Sequence, residues 1–155
     1  MNTFLPYEDF RNSAACLDYK RCGKQRVEAS QILKIISGER TTGGWINHPA
    51  VLMWSGYPDA LRLYIKCFIE EWVNRGYNNN MEIPVIEKEK EIEMPYWLGD
   101  CRLHMSHRSN LLRKDPEYYG QFGWTEKPWL EYYWPPKKQI SVNEITLLSD
   151  DCVYY

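Results

Sequence analysis

The chain predicts an all-α fold in a single domain, on three observations. Windows 12–37, 59–75 and 101–114 carry apolar residues at the 3.6-residue period of a helix with one buried stripe. Gly38, Pro58, Gly76 and Pro116 fall where these windows should begin or end. The 155 residues suffice for one core that needs neither disulfides nor a metal to hold it.

Taken in order, the first ten residues read as an extended arm, because Pro6 opposes helix, and Asp9 or Ser13 is placed to cap helix one. That helix runs to Gly38. Its inward stripe mixes Leu17, Ile32, Ile35 and Ile36 with Arg21, Gln25 and Glu28, while Gly23, Ser30, Lys34 and Ser37 face solvent. Gly23 lowers helix stability by ~1 kcal/mol against Ala, so it marks a bend or a close approach by another backbone or a ligand. Gly43 and Gly44 open a loop into Trp45 and His48, and Pro49 starts a short helix that Gly56 stops. Helix two runs from Pro58 to Gly76 with a wholly apolar stripe of Leu61, Tyr64, Ile65, Phe68, Ile69 and Trp72. Residues 77–94 form an acidic connector. Helix three then sets His104, His107 and Arg108 among Cys101, Leu111 and Leu112, with Arg102, Ser106, Ser109 and Arg113 pointing away. Residues 118–136 hold eight aromatics among Gly and Pro, an irregular region. Residues 1–138 make the domain, and 139–155 a polar, acidic-ending tail, loosely attached.

No apolar run is long enough to span a membrane and the first ten residues lack a signal pattern, so no membrane partner is expected and the cytoplasm is the expected location. Five cysteines without a CxxC pair argue against structural zinc and a disulfide framework, and read as reduced thiols. A net charge of −2 opposes a nucleic-acid partner. Its distribution does not: Lys20, Arg21, Lys24 and Arg26 lie together, as do Arg102, Arg108, Arg113 and Lys114, while Glu82, Glu87, Glu89, Glu91 and Glu93 concentrate the acid in the connector. The chain is left room for a basic face.

Ionisable groups on an inward stripe must pair with each other or line a cleft, because an unpaired buried charge is costly. Arg21, Gln25 and Glu28 are therefore either an internal bridge between helices or a site where Glu28 moves a proton or steadies a developing cation while guanidinium groups hold phosphate. His48, His104 and His107 lack the carboxylates and spacing of a zinc site, so no metal is expected; acid–base or phosphate chemistry, or satisfied core histidines, remain. Tyr118, Tyr119 and Trp124, next to Arg113 and Lys114, are placed to stack on bases. No GxGxxG, Walker, GxSxG or HExxH pattern occurs, and no cofactor is implied.

Four collinear stretches carry a family resemblance: LDYKRCGKQRVEASQIL, GWINHPAVLMW, IEEWVNRGYN and HMSHRSNLLRKDPEYYGQFGW. They resemble the pyrimidine-dimer DNA glycosylase (endonuclease V) family in its bacterial and viral branch. The resemblance implies a compact all-helical fold of three main helices with the N-terminus lying across them. It implies a DNA glycosylase with AP-lyase activity on a damaged or modified pyrimidine in double-stranded DNA, through a Schiff base on the N-terminal amine. Asn2 is bulky for removal of Met1, which assigns the amine to Met1. The family's glutamate, which directly follows an Arg of helix one, has no counterpart after Arg21, so Glu28 is the nearest acid on the stripe. On this reading Met1, Glu28, Arg21, His104 and His107 do chemistry. Lys20, Lys24, Gln25, Arg26, His48, Arg108, Arg113, Lys114, Tyr118, Tyr119 and Trp124 bind DNA, with base flipping. The alternative is a protein on the same fold that binds a nucleotide, a modified base or a nucleotide-like small molecule without cleaving it, or an enzyme that modifies the base.

Overall fold

The computed structural model describes residues 1–88 and 91–138. Among them the structure is helical with no strand: α1 (Phe10–Cys16), α2 (Tyr19–Ile36), α3 (Pro49–Trp54), α4 (Pro58–Asn74), α5 (Cys101–Lys114) and α6 (Pro116–Tyr119), the last followed by a 3-10 turn over Gly120–Phe122. None of these helices is long and apolar enough to cross a membrane.

The first helical window divides in two. Leu17 and Asp18 are extended, and the Asp18 side chain accepts the Arg21 N–H to cap α2, as Asp9 accepts the Asn12 N–H to cap α1. Apolar spacing runs across the break and hides it. Pro49 and Pro58 each open a helix as expected, Pro occupying a position whose N–H has no intrahelical partner.

α2 and α4 form the main helix–helix interface. Gly23 is buried there rather than facing solvent, since a Cβ at this position would lie 2.7 Å from the Trp72 ring. The close approach is made by a side chain. The α4 stripe of Leu61, Tyr64, Ile65, Phe68 and Ile69 is buried with Trp54 and Trp97 in the core. Cys16, Cys22 and Cys67 are free and buried.

The N-terminal arm crosses this core with Asn2, Thr3, Phe4, Leu5 and Pro6 all buried. An extended segment without a sheet partner must find acceptors and donors elsewhere, since each buried orphan costs ~1–3 kcal/mol. Side chains of three helices supply them. The Phe4 N–H donates to Gln25 Oε1 (2.8 Å) and the Phe4 carbonyl accepts from the Tyr64 hydroxyl (2.9 Å). The Leu5 N–H donates to His107 Nδ1 (2.8 Å) and its carbonyl accepts from His104 Nδ1 (2.7 Å). The Pro6 carbonyl accepts from Arg108 (2.7 Å).

The opposite face of α5 is covered as well, which corrects the solvent-facing reading of Ser106 and Ser109. Both serines are fully buried under residues 127–133. The Leu130 N–H donates to Ser109 Oγ (2.9 Å), the Tyr133 N–H to Ser106 Oγ (3.1 Å), and Ser109 donates to the Lys127 carbonyl. One polar helix thus holds two irregular segments, one on each side. The tail 139–155 lies outside the described residues.

Candidate active site

The arm delivers the start of the chain to α2. The Asn2 N–H donates to Glu28 Oε2 (3.2 Å), which also accepts from Gln25 Nε2 (3.2 Å), and Lys24 Nζ stands 3.9 Å from Glu28 Oε1. Glu28 is thereby fixed beside the first peptide bond, with Met1 half-buried next to it. Gln25 acts as a splint: its carbonyl oxygen holds Phe4 and Tyr64 while its amide orients the carboxylate.

His48 joins this group from α3. It caps that helix by accepting the Ala50 N–H on Nδ1 (3.0 Å), which leaves the proton of the neutral ring on Nε2. Burial holds its pKa below the usual histidine range, the positive charge of the N-terminus pushes the same way, and Glu28 opposes both. Terminal amine, carboxylate and imidazole therefore share one field. Trp45 and Trp134 flank the ring at centroid distances of 5.3 and 5.6 Å, and Trp134 leans on Tyr132. Burial raises the Tyr132 pKa against the neighbouring Asn2 side chain and the charges of Arg113 and Arg21.

Four cations gather on the same side. Burial lowers the Lys114 pKa, and the positive charges of Arg21, Arg113 and Lys24 lower it further. Arg21 is braced by Asp18 (3.1 Å), whose other contact is the Tyr119 hydroxyl, and Arg113 donates to Asn110. Converging guanidinium and ammonium donors are suited to anions, with Arg21 already paired to Asp18 and Lys24 beside Glu28.

Other residues singled out in the sequence are placed elsewhere. Arg26 stacks on Trp72 at 4.3 Å and donates to Asn79 (3.0 Å), and Lys20 is exposed near the Tyr19 ring. Arg108 spans the Pro6 carbonyl and Glu126 (2.6 Å). His104 uses both nitrogens on backbone, since the Gly99 N–H also donates to its Nε2 (3.0 Å). His107 is fully buried, and burial, with help from His104 and Arg108, pulls its pKa down to about 3. Tyr119 is fully buried against Trp124 and Phe122, and Tyr118 packs edge-on against both Tyr119 and Phe122. Among the described residues no group of three or more His, Cys, Asp or Glu could hold a metal ion.

Sequence reasoning missed Trp45, Tyr132 and Trp134 as walls of this site. Trp45 is 45% exposed on a Gly-Gly loop, a signal that was legible, whereas Tyr132 and Trp134 were hidden within a run of aromatics.

No curated protein and no solved structure matches the chain. A family model does, over residues 1–85, and its description is pyrimidine dimer DNA glycosylase. That match covers the arm, Glu28, Gln25, the α2 cations and His48, in more than half of the 155 residues. The chain belongs to the pyrimidine dimer DNA glycosylase family, a family of DNA-repair glycosylases.

Proposed function

We propose that this protein is a DNA glycosylase with AP-lyase activity, acting on a damaged or modified pyrimidine in duplex DNA through its N-terminal amine. The observation that carries the reading is the carboxylate of Glu28 at 3.2 Å from the Asn2 nitrogen, at the end of an arm that the helices hold in place.

The amine attacks C1′ of an extruded nucleoside. The glycosidic bond breaks, the base departs with the bonding pair and takes up a proton, and the amine nitrogen loses one. Ring opening protonates O4′ and leaves an imine, after which removal of a C2′ proton expels the 3′ phosphate. Glu28 steadies the sugar cation and carries these protons. His48, held neutral with its proton on Nε2, is a fixed hydrogen-bond donor beside the reacting carbon rather than a base. Arg21, Lys24, Arg113 and Lys114 hold the phosphates, and Trp45 supplies an exposed ring for an unstacked base. His104, His107 and Arg108 act one step back, by positioning the arm.

Glu28 is placed to serve either form of the chain. With Met1 retained, the amine lies one residue beyond the carboxylate. With Met1 removed, the Asn2 nitrogen itself becomes the α-amine at the observed 3.2 Å. Intact mass identifies which form exists.

The test is borohydride trapping on abasic duplex DNA. A covalent adduct is expected, blocked by prior capping of the amine and reduced at least ~100-fold in rate by Glu28→Gln, a loss of the size general acid–base groups supply. Trapping that survives the cap would refute the assignment of the amine and point to a lysine such as Lys24.

A further inference from the structure

Of the three aromatic walls of the site, Tyr132 alone carries a hydroxyl, and it lies beyond the residues 1–85 that the family model matches. Its half-buried ring is held by its neighbours: His107 edge-on at 5.7 Å and 82°, Trp134 at 5.5 Å and Phe4 at 6.4 Å. The backbone on either side is tied to α5, through the Leu130 N–H on Ser109 Oγ and the Tyr133 N–H on Ser106 Oγ. Phe4 and His107 also seat the arm, so the phenol and the N-terminus are built on the same two residues. The ring is thus fixed before any substrate arrives.

Two kinds of group meet at the hydroxyl. The Asn2 side chain and the Glu28 charge act on it from the amine end of the site, and the Arg21 and Arg113 charges act on it from the cation group. Burial raises its pKa above that of a free phenol, so it keeps its proton at neutral pH. Asn2 is only 7% exposed, and its amide nitrogen is buried with no hydrogen-bond partner. An amide donor in that position needs an acceptor, and the phenol oxygen is beside it. An oxygen that accepts from Asn2 directs its own proton elsewhere. Guanidinium groups cannot accept that proton, and Glu28 is already engaged by the Asn2 N–H, Gln25 and Lys24. The O–H is therefore left for an incoming acceptor, among cations that favour an anionic one.

We propose that Tyr132 is a catalytic residue of the strand-cutting step, its O–H donating to the bridging oxygen that leaves C3′. The role rests on the lyase reading above. In that step a base takes the C2′ proton, and the electrons of the C2′–H bond become the C2′=C3′ double bond. The C3′–O bond breaks and the oxygen departs with its pair as part of the phosphate. Arg21 and Arg113 meet the non-bridging oxygens, whose charge is present from the start. The bridging oxygen gains charge only as the bond breaks, and a fixed donor aimed there lowers the barrier rather than merely tightening binding. Tyr132 keeps its proton throughout, because the departing phosphate is a weaker base than a phenolate.

The test compares the full chain with Tyr132→Phe, which keeps the ring and its packing, on an abasic duplex in single turnover. Borohydride trapping reads imine formation and strand cleavage reads elimination. Cleavage is expected to fall at least ~10-fold more than trapping, a smaller loss than an oxyanion-hole donor gives because phosphate leaves more readily. A duplex with sulfur in place of the 3′ bridging oxygen supplies the second measurement, since sulfur is a weak acceptor and gains little from a donor. On that duplex the gap between native chain and variant is expected to close. Cleavage and trapping reduced equally, or cleavage unchanged, overturns the role. A deficit that persists with sulfur also overturns it, and marks Tyr132 as a structural part of the wall. Any of these with normal trapping by the native chain leaves the lyase reading standing, whereas a native chain that neither traps nor cuts sinks that reading and this role with it.

Discussion

Acid should loosen the arm through His107, and the size of the effect follows from the geometry. His107 Nδ1 accepts the Leu5 N–H at 2.8 Å, so a proton on Nδ1 breaks that bond and puts a charge among the Phe4 and Tyr132 rings. The folded pKa lies at about 3, against 6.5 for a free imidazole. Between these values the unfolded chain binds a proton that the native state does not, so stability rises with pH and is lost as pH falls below 6.5. The slope approaches ~1.4 kcal/mol per pH unit, which gives ~2 kcal/mol between pH 7 and pH 5. Glutamine at this position can still accept the Leu5 N–H through its carbonyl oxygen and does not titrate. Urea unfolding of the native chain and of His107→Gln at pH 7 and pH 5 isolates the contribution. The native chain should lose ~2 kcal/mol more than the variant over that interval, with His104 common to both. An equal loss in the two proteins would show that burial of this imidazole is not what acid attacks.

Two further perturbations address the interface and the anion site. Gly23→Ala places a methyl 2.7 Å from the Trp72 ring, and the resulting overpacking of ~1–3 kcal/mol should outweigh the ~1 kcal/mol gained in helix propensity. Thermal melting should show a lower midpoint, restored by Trp72→Leu; a raised midpoint in Gly23→Ala alone would refute the tight contact. Arg113→Gln and Lys114→Gln should each reduce the slope of log affinity for duplex DNA against log salt by about one, the signature of a lost phosphate contact. Unchanged slopes would remove these cations from the interface.

Periodicity located the inward faces of α2, α4 and α5, because spacing at 3.6 residues reports which side of a helix is covered. It is silent on what covers it. Gln25, Glu28, His104, His107 and Arg108 were rightly placed on the inner side, yet most of that stripe is satisfied by the backbone of residues 2–6 rather than by solvent or ligand. An extended arm offers no pattern of its own, and its partners are scattered from 21 to 102 positions downstream. The Leu17–Asp18 break escaped for the reverse reason, since Leu17 fits the stripe although Asp18 is an N-cap residue. Pro49 and Pro58 acted as clear starts because proline's missing donor is harmless only in a first turn, whereas Pro116, expected only to end the third helix, also opens α6. Tyr119 and Trp124 show the limit of reading aromatics by their neighbours: adjacent Arg113 and Lys114 suggested bases for both, whereas Tyr119 is sealed inside.

Leu5 and His107 are separated by 102 positions, and the ribosome makes the first long before the second exists. The segment synthesised earliest must therefore wait for α5 before it can be seated, and assembly runs in the opposite direction to translation. Contacts so distant along the chain slow folding, and an unseated apolar strand such as Thr3–Phe4–Leu5 is exposed to aggregation or proteolysis meanwhile. Seating of Leu5 is in this way coupled to synthesis of α5, so that a nascent fragment ending before that helix leaves the Leu5 backbone without the partners that His104 and His107 supply.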